Sequence, residues 1–284
     1  LAAGPLATAA QPSGRIVANA THLIWKTPGF TGLQTLAKQG GAVQSFAIGA
    51  LATNITLYAM SPDGQHLVAA NATDRMYVLD TSTPPPWVTK QLLNFPPAPT
   101  GISSVAINDS GEIFAGAAAD GGPTTSVFYN QDGIGTMWKP LAKPTMASIE
   151  VVASSRSGTV FSTDLVTTFF DDVGAGKGSQ LTFAPLELAA AETGVAYATA
   201  SEVGTLDEAP SNKTLTLATN PRDLVLRPNR LHFVSDVGSG QAIQTVTQGT
   251  APVTHVTDTG IVGLAVDNGC FFYWSGGSVR VAGP

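Results

Sequence analysis

Three carboxylates, Glu150, Glu187 and Asp223, follow one another at intervals of 37 and 36 residues, each opening a run of small and β-branched residues. Such spacing points to one structural position used three times. Carboxylates gathered there either raise one another's pKa or recruit a cation. An all-oxygen ligand set favours Ca²⁺ or Mg²⁺ over zinc. Glu150, Glu187 and Asp223 are therefore candidate metal ligands, with Ca²⁺ or Mg²⁺ as the candidate cofactor. The competing reading is structural: Arg15, Arg222 or backbone amides satisfy the same groups.

Other chemistries lack an anchor. Cys270 is the single cysteine, which excludes an intrachain disulfide and thiolate-rich metal sites. His22, His66, His232 and His255 fall in what read as different repeats, so no histidine cluster for zinc or proton relay is expected. Gly174-Ala175-Gly176-Lys177-Gly178-Ser179 looks like a phosphate loop, but Asp171 stands where its first glycine belongs and no helix follows. It reads as a hairpin loop. There is no Gly-x-Ser-x-Gly elbow and no His-Glu-x-x-His motif.

The carboxylates belong to a larger period. A strand of small residues, a turn and an aromatic-rich strand recur, most clearly at 103–115 and 262–274. Taking the residue that opens each turn gives Asn19, Ser61, Asn108, Ser154, Ala191, Arg227 and Asp267. Four strands fit in each unit; in the sixth they are 223–226, 231–234, 242–246 and 253–256. The two chain ends together supply one further repeat length. Residues 6–10 are thus expected to pair as the outer strand of the last unit, beside 278–281, which removes an exposed edge. The expected fold is all-β, one domain over 1–284: a seven-bladed β-propeller of four-stranded antiparallel blades. Six blades are the alternative, because the third strand of the fifth unit, near Gly204, looks short.

Gly263-Leu264-Ala265-Val266-Asp267, Phe272-Tyr273-Trp274 and Ser278-Val279-Arg280-Val281 resemble the NHL and YWTD-like propeller repeats of secreted bacterial proteins. The resemblance implies that the innermost strand of each blade lines a central channel and that the loops entering it form a ligand-binding face. Arg15, Ser104, Glu150, Glu187 and Asp223 would open innermost strands there, with Asp164, Glu202 and Asp236 in neighbouring loops. The resemblance implies a scaffold that binds a protein partner or small ligand, without committing it to a reaction. The alternative is a divalent-metal-dependent lactonase-like hydrolase or a lyase.

Composition narrows the partners. A net charge of -6, with 14 Lys and Arg scattered singly, offers no stripe for nucleic acid. No apolar run reaches the roughly 18 residues that span a bilayer as a helix. The chain starts at Leu1 without Met, compatible with removal of a signal peptide, and a secreted or periplasmic monomer is expected. Aromatics such as Trp25, Phe233 and Phe271 recur with the repeat and are expected to pack between blades. Trp87, beside Pro84-Pro85-Pro86, is a candidate exposed anchor.

Overall fold

The structure is a computed structural model that describes residues 4–29, 31–46, 48, 55–71, 75–87, 89–94, 102–118, 125–130, 138–140, 150–153, 159–163, 168–172, 177–181, 185–191, 194–206 and 212–283. After a first strand, β1 (Gly4–Thr8), that pairs only in the last sheet, the chain builds four-stranded antiparallel sheets in sequence order. Blade 1 holds β2 (Val17–Ala18), β3 (His22–Trp25), β4 (Leu33–Ala37) and β5 (Gln44–Phe46). Blade 2 holds β6 (Leu57–Met60), β7 (His66–Ala70), β8 (Arg75–Asp80) and β9 (Thr89–Asn94). Blade 3 holds β10 (Ile102–Ile107), β11 (Ile113–Ala118), β12 (Thr125–Asn130) and β13 (Lys139–Pro140). Blade 4 holds β14 (Glu150–Ala153), β15 (Thr159–Thr163), β16 (Thr168–Asp172) and β17 (Lys177–Leu181).

Blade 5 holds β18 (Glu187–Ala191), β19 (Gly194–Ala198), β20 (Glu202–Leu206) and β21 (Asn212–Leu217). It is complete, and the strand that looked short in the sequence pairs along its length with both neighbours. Blade 6 holds β22 (Arg222–Arg227), β23 (Arg230–Val237), β24 (Gly240–Val246) and β25 (Val253–Asp258). The last sheet holds β26 (Val262–Asp267), β27 (Cys270–Ser275) and β28 (Ser278–Ala282), and β1 pairs with β28 as its fourth strand. The closing strand therefore starts two residues earlier than the sequence suggested, with Gly4 opposite Val281 and Thr8 opposite Ser278. The innermost strands neighbour one another in the closed order β2, β6, β10, β14, β18, β22, β26 and back to β2. The architecture is an all-β propeller.

Strand alternation explains where the core sits. Successive side chains of a strand point to opposite faces, so each blade packs against both neighbours. In β27, Phe271 and Tyr273 join the cluster shared with blade 6, whereas Phe272 and Trp274 join the cluster shared with blade 1. Trp25 and Phe233 are fully buried in the same manner. Trp87 is buried too, against Phe46 and His22, with its indole N–H donated to the Thr83 carbonyl at 2.6 Å. It is a core residue, because two rings of blade 1 cover it.

The turns between first and second strands are held by the residues that mark the repeat. Asn19 is buried, its Oδ1 accepting from the amides of Thr21 and His22. Asn108 does the same for Ser110 and Glu112, and Ser61 Oγ accepts from the His66 amide. These are Asx-type turns, in which a short polar side chain replaces a backbone partner.

Candidate functional site

A cavity of about 340 Å³ runs along the innermost strands, bounded by Arg15, Tyr58, Ser104 and Leu224 among others at one end, and by Met60 and Arg227 towards the other. Ser104 lies in its wall. The mouth at the strand starts is the side on which the carboxylates were placed.

Bulges explain what those carboxylates do. Register shifts occur between Arg222 and Val225 in β22 and between Val262 and Leu264 in β26. A bulge takes a residue out of the ladder and leaves its amide in need of a partner. Each time, a carboxylate of the preceding blade supplies it. Glu187 in blade 5 accepts from the amides of Asp223 (2.8 Å) and Leu224 (2.9 Å) in blade 6. Asp223 in turn accepts from the amide of Gly263 (3.1 Å) in the next blade. Asp223 and Gly263 share the left-handed backbone conformation, φ 53° and 64°. Glycine takes it freely; aspartate is one of the few other residues that tolerates it.

Arg15 crosses the opening. It belongs to the start of blade 1, yet its Nη2 lies 2.8 Å from Glu187 Oε1 and donates to the Leu188 carbonyl at 2.7 Å, both in blade 5. Two blades separate these in the ring, so the guanidinium bridges the mouth. From blade 2, the Tyr58 hydroxyl donates to the Arg15 carbonyl, and burial pushes the Tyr58 phenol above its usual range. Asp223 is pushed up to about 6, by burial first and the Glu187 carboxylate second, against the lowering effect of Arg15.

The remaining sequence candidates divide. Asp236 is near the start of β22, paired with Arg222 at 3.0 Å and accepting from Asn220 at 2.9 Å; these hydrogen bonds hold its carboxyl below the usual range. Glu202 is engaged inside blade 5, by the Tyr197 hydroxyl and by Thr214 at 3.1 Å each. Glu150 opens β14, but its side chain lies outside what is described, and Asp164 lies outside the described residues altogether. Among the described residues no group of three or more His, Cys, Asp or Glu side chains is placed to hold a metal ion.

The structural reading of the carboxylates, with Arg15 and backbone amides as partners, holds at Glu187; what the sequence could not say is that Arg15 reaches it across the mouth, 172 positions away. His232 and His255 belong to one blade, not to different ones, and both pack on Phe271, at ring-centroid distances of 5.5 and 4.6 Å. Of the phosphate-loop look-alike, Lys177, Gly178 and Ser179 lie in strand β17.

No family model matches the chain, and no curated protein matches it. Solved structures do. A chain in a crystal structure of the mitotic checkpoint complex superposes with a TM-score of 0.66 at 10% identity, over 95% of this chain and 88% of that one. The β-propeller domain of Cps50 (Swd1) from Myceliophteria thermophila superposes with a TM-score of 0.65 at 8% identity, over 98% of both chains. At such identities the likeness concerns the fold, and the fold is that of a β-propeller.

Proposed function

We propose that this chain is a seven-bladed binding scaffold of NHL/YWTD-like type that takes a protein partner or small ligand at the channel mouth, around Arg15, Glu187 and Asp223. The observation that carries the reading is the Arg15 bridge. A guanidinium with 37% of its side chain exposed, fixed over an open channel, sets a positive charge and a planar polar face where an incoming carboxylate or carbonyl would arrive. Seven sheets and the closed order of innermost strands support one ring around that channel. Propellers commonly serve as interaction scaffolds, and one of the solved relatives comes from a protein complex.

A displayed peptide library selected on the immobilised chain tests this. Selected peptides should lose at least about tenfold in affinity on Arg15→Gln, as expected for an anchoring arginine. Peptides that ignore Arg15→Gln and Asp223→Asn but lose binding through changes elsewhere would place the binding face wrongly. A metal at this mouth would have to compete with Arg15 and two backbone amides for Glu187. Calorimetric titration with Ca²⁺ and Mg²⁺, repeated on Glu187→Gln, separates that alternative.

A further inference from the structure

At the opposite end of the channel, blade 6 turns from β22 into β23 through Arg227-Pro228-Asn229-Arg230. Asn229 has φ 60° after a proline, the signature of a type II turn. The turn sets Arg227 and Arg230 directly opposite each other in the ladder. Directly opposed residues share one face of a sheet, with Cβ atoms about 5 Å apart, and like charges so placed repel. Arg227 donates to the Val266 carbonyl and meets no carboxylate among the described residues. Arg230 is exposed and has neither a hydrogen bond nor an ion pair among them.

The same face carries two histidines. His232 lies two residues beyond Arg230, which returns it to that face. Its Nδ1 meets Thr245 Oγ1 at 2.7 Å, and it shares the Phe271 ring with the exposed His255. Burial lowers the pKa of both histidines, and nearby arginines lower it further: Arg227 and Arg230 for His232, Arg230 for His255. In a chain of net charge -6, two facing arginines without a neutralising acid among the described residues make a local cost that a bound anion would remove.

We infer that the Arg227–Arg230 turn of blade 6, flanked by His232 and His255, is a binding site for a phosphate monoester. Two planar guanidinium forks on one face match the oxygens of a dianion, and the exposed His255 flanks it with a further ring N–H donor. The group could be carried by a phosphorylated side chain of a partner or by a small phosphate ester; the recognising chemistry is the same.

The test titrates inorganic phosphate into the intact chain while following the Cε1 proton resonances of His232 and His255. Saturable shifts are expected with a Kd on the order of 1 mM or tighter, weakened about tenfold by the surface change Arg230→Gln and further by Arg227→Gln. Glycerol phosphate and a phosphoserine peptide form the second arm: tighter binding of the peptide assigns the site to a protein partner, equal binding to a small ester. Shifts that do not saturate, that chloride reproduces at equal ionic strength, or that persist in Arg230→Gln with unchanged affinity overturn the inference. Thermal unfolding of each variant shows that the fold is retained.

Discussion

The indole N–H of Trp274 donates to the carbonyl of Ala9 at 2.9 Å, across 265 positions of sequence. It fastens the segment beyond β1 to β27, while the Ala9 amide donates to Gly277 at 3.1 Å. Leu6, Ala7 and Ala9 pack on the cluster that includes Trp25, Leu36 and Phe272. The closure thus combines ladder pairing, one side-chain hydrogen bond and apolar burial between the first and last blades.

Removing residues 1–10 should therefore leave β28 as an open edge and expose that cluster. The expected outcome is a lower unfolding midpoint together with self-association, read by denaturant titration and light scattering. Trp274→Phe removes the indole donor and part of the ring packed on that cluster, and should cost about 1–3 kcal/mol.

Breaking the mouth bridge should destabilise more on the acid side than on the basic side. Glu187→Ala orphans two amides and takes from Arg15 its Glu187 ion pair, and about 2–4 kcal/mol is expected; Arg15→Ala leaves Glu187 with both amides and should cost less, about 1–2 kcal/mol. A double-mutant cycle in urea measures the coupling. Equal costs for both single changes would contradict the clamp.

Two groups should impose opposite pH dependences on stability. Asp223, raised from 3.8 to about 6, favours the native state when protonated: its contribution is full below pH 3.8 and lost as pH rises through 6, about 3 kcal/mol in all. His232, lowered from 6.5 to about 4, favours the native state when neutral: its contribution is full above pH 6.5 and lost as pH falls to 4, again about 3 kcal/mol. Between pH 4 and 6 the two slopes oppose. Asp223→Asn should remove the first, so that stability falls more steeply on acidification and rises above the parent at pH 7.5. Asparagine keeps an acceptor for Gly263 and tolerates the positive φ. Parallel stability profiles of parent and variant would rule this out.

Gly204→Ala should disrupt blade 5. A Cβ there would meet the Lys213 carbonyl oxygen at 2.3 Å and the Tyr197 ring at 2.5 Å, contacts that no rotamer relieves. A loss of about 2–4 kcal/mol is expected, measured by thermal unfolding. A neutral effect would mean that β20 and β21 separate easily.

Much of the architecture is legible because it repeats. Asn19, Ser61 and Asn108 mark the period since each must cap the same turn, and the Phe271 to Trp274 run alternates because each β27 face meets a different blade. Glu187 and Asp223 were found at one repeated position for the same reason. That Arg15 or backbone amides could satisfy them was the structural reading open in the sequence, and it holds for Glu187 and Asp223; which amides was not legible, because these are freed by bulges in the next blade and a bulge is a property of strand pairing.

The sequence by itself determined the repeat, the strand pattern and the need to cover an open edge with the N-terminal segment, because these follow from period-two alternation, turn chemistry and unpaired backbone groups. Only the tertiary structure decided that Arg15 crosses the mouth to Glu187, that Trp87 is interior and that Arg227, Arg230, His232 and His255 share one face. These depend on how blades are disposed about the ring and on pairing register, and side chains brought together that way have no fixed separation along the chain.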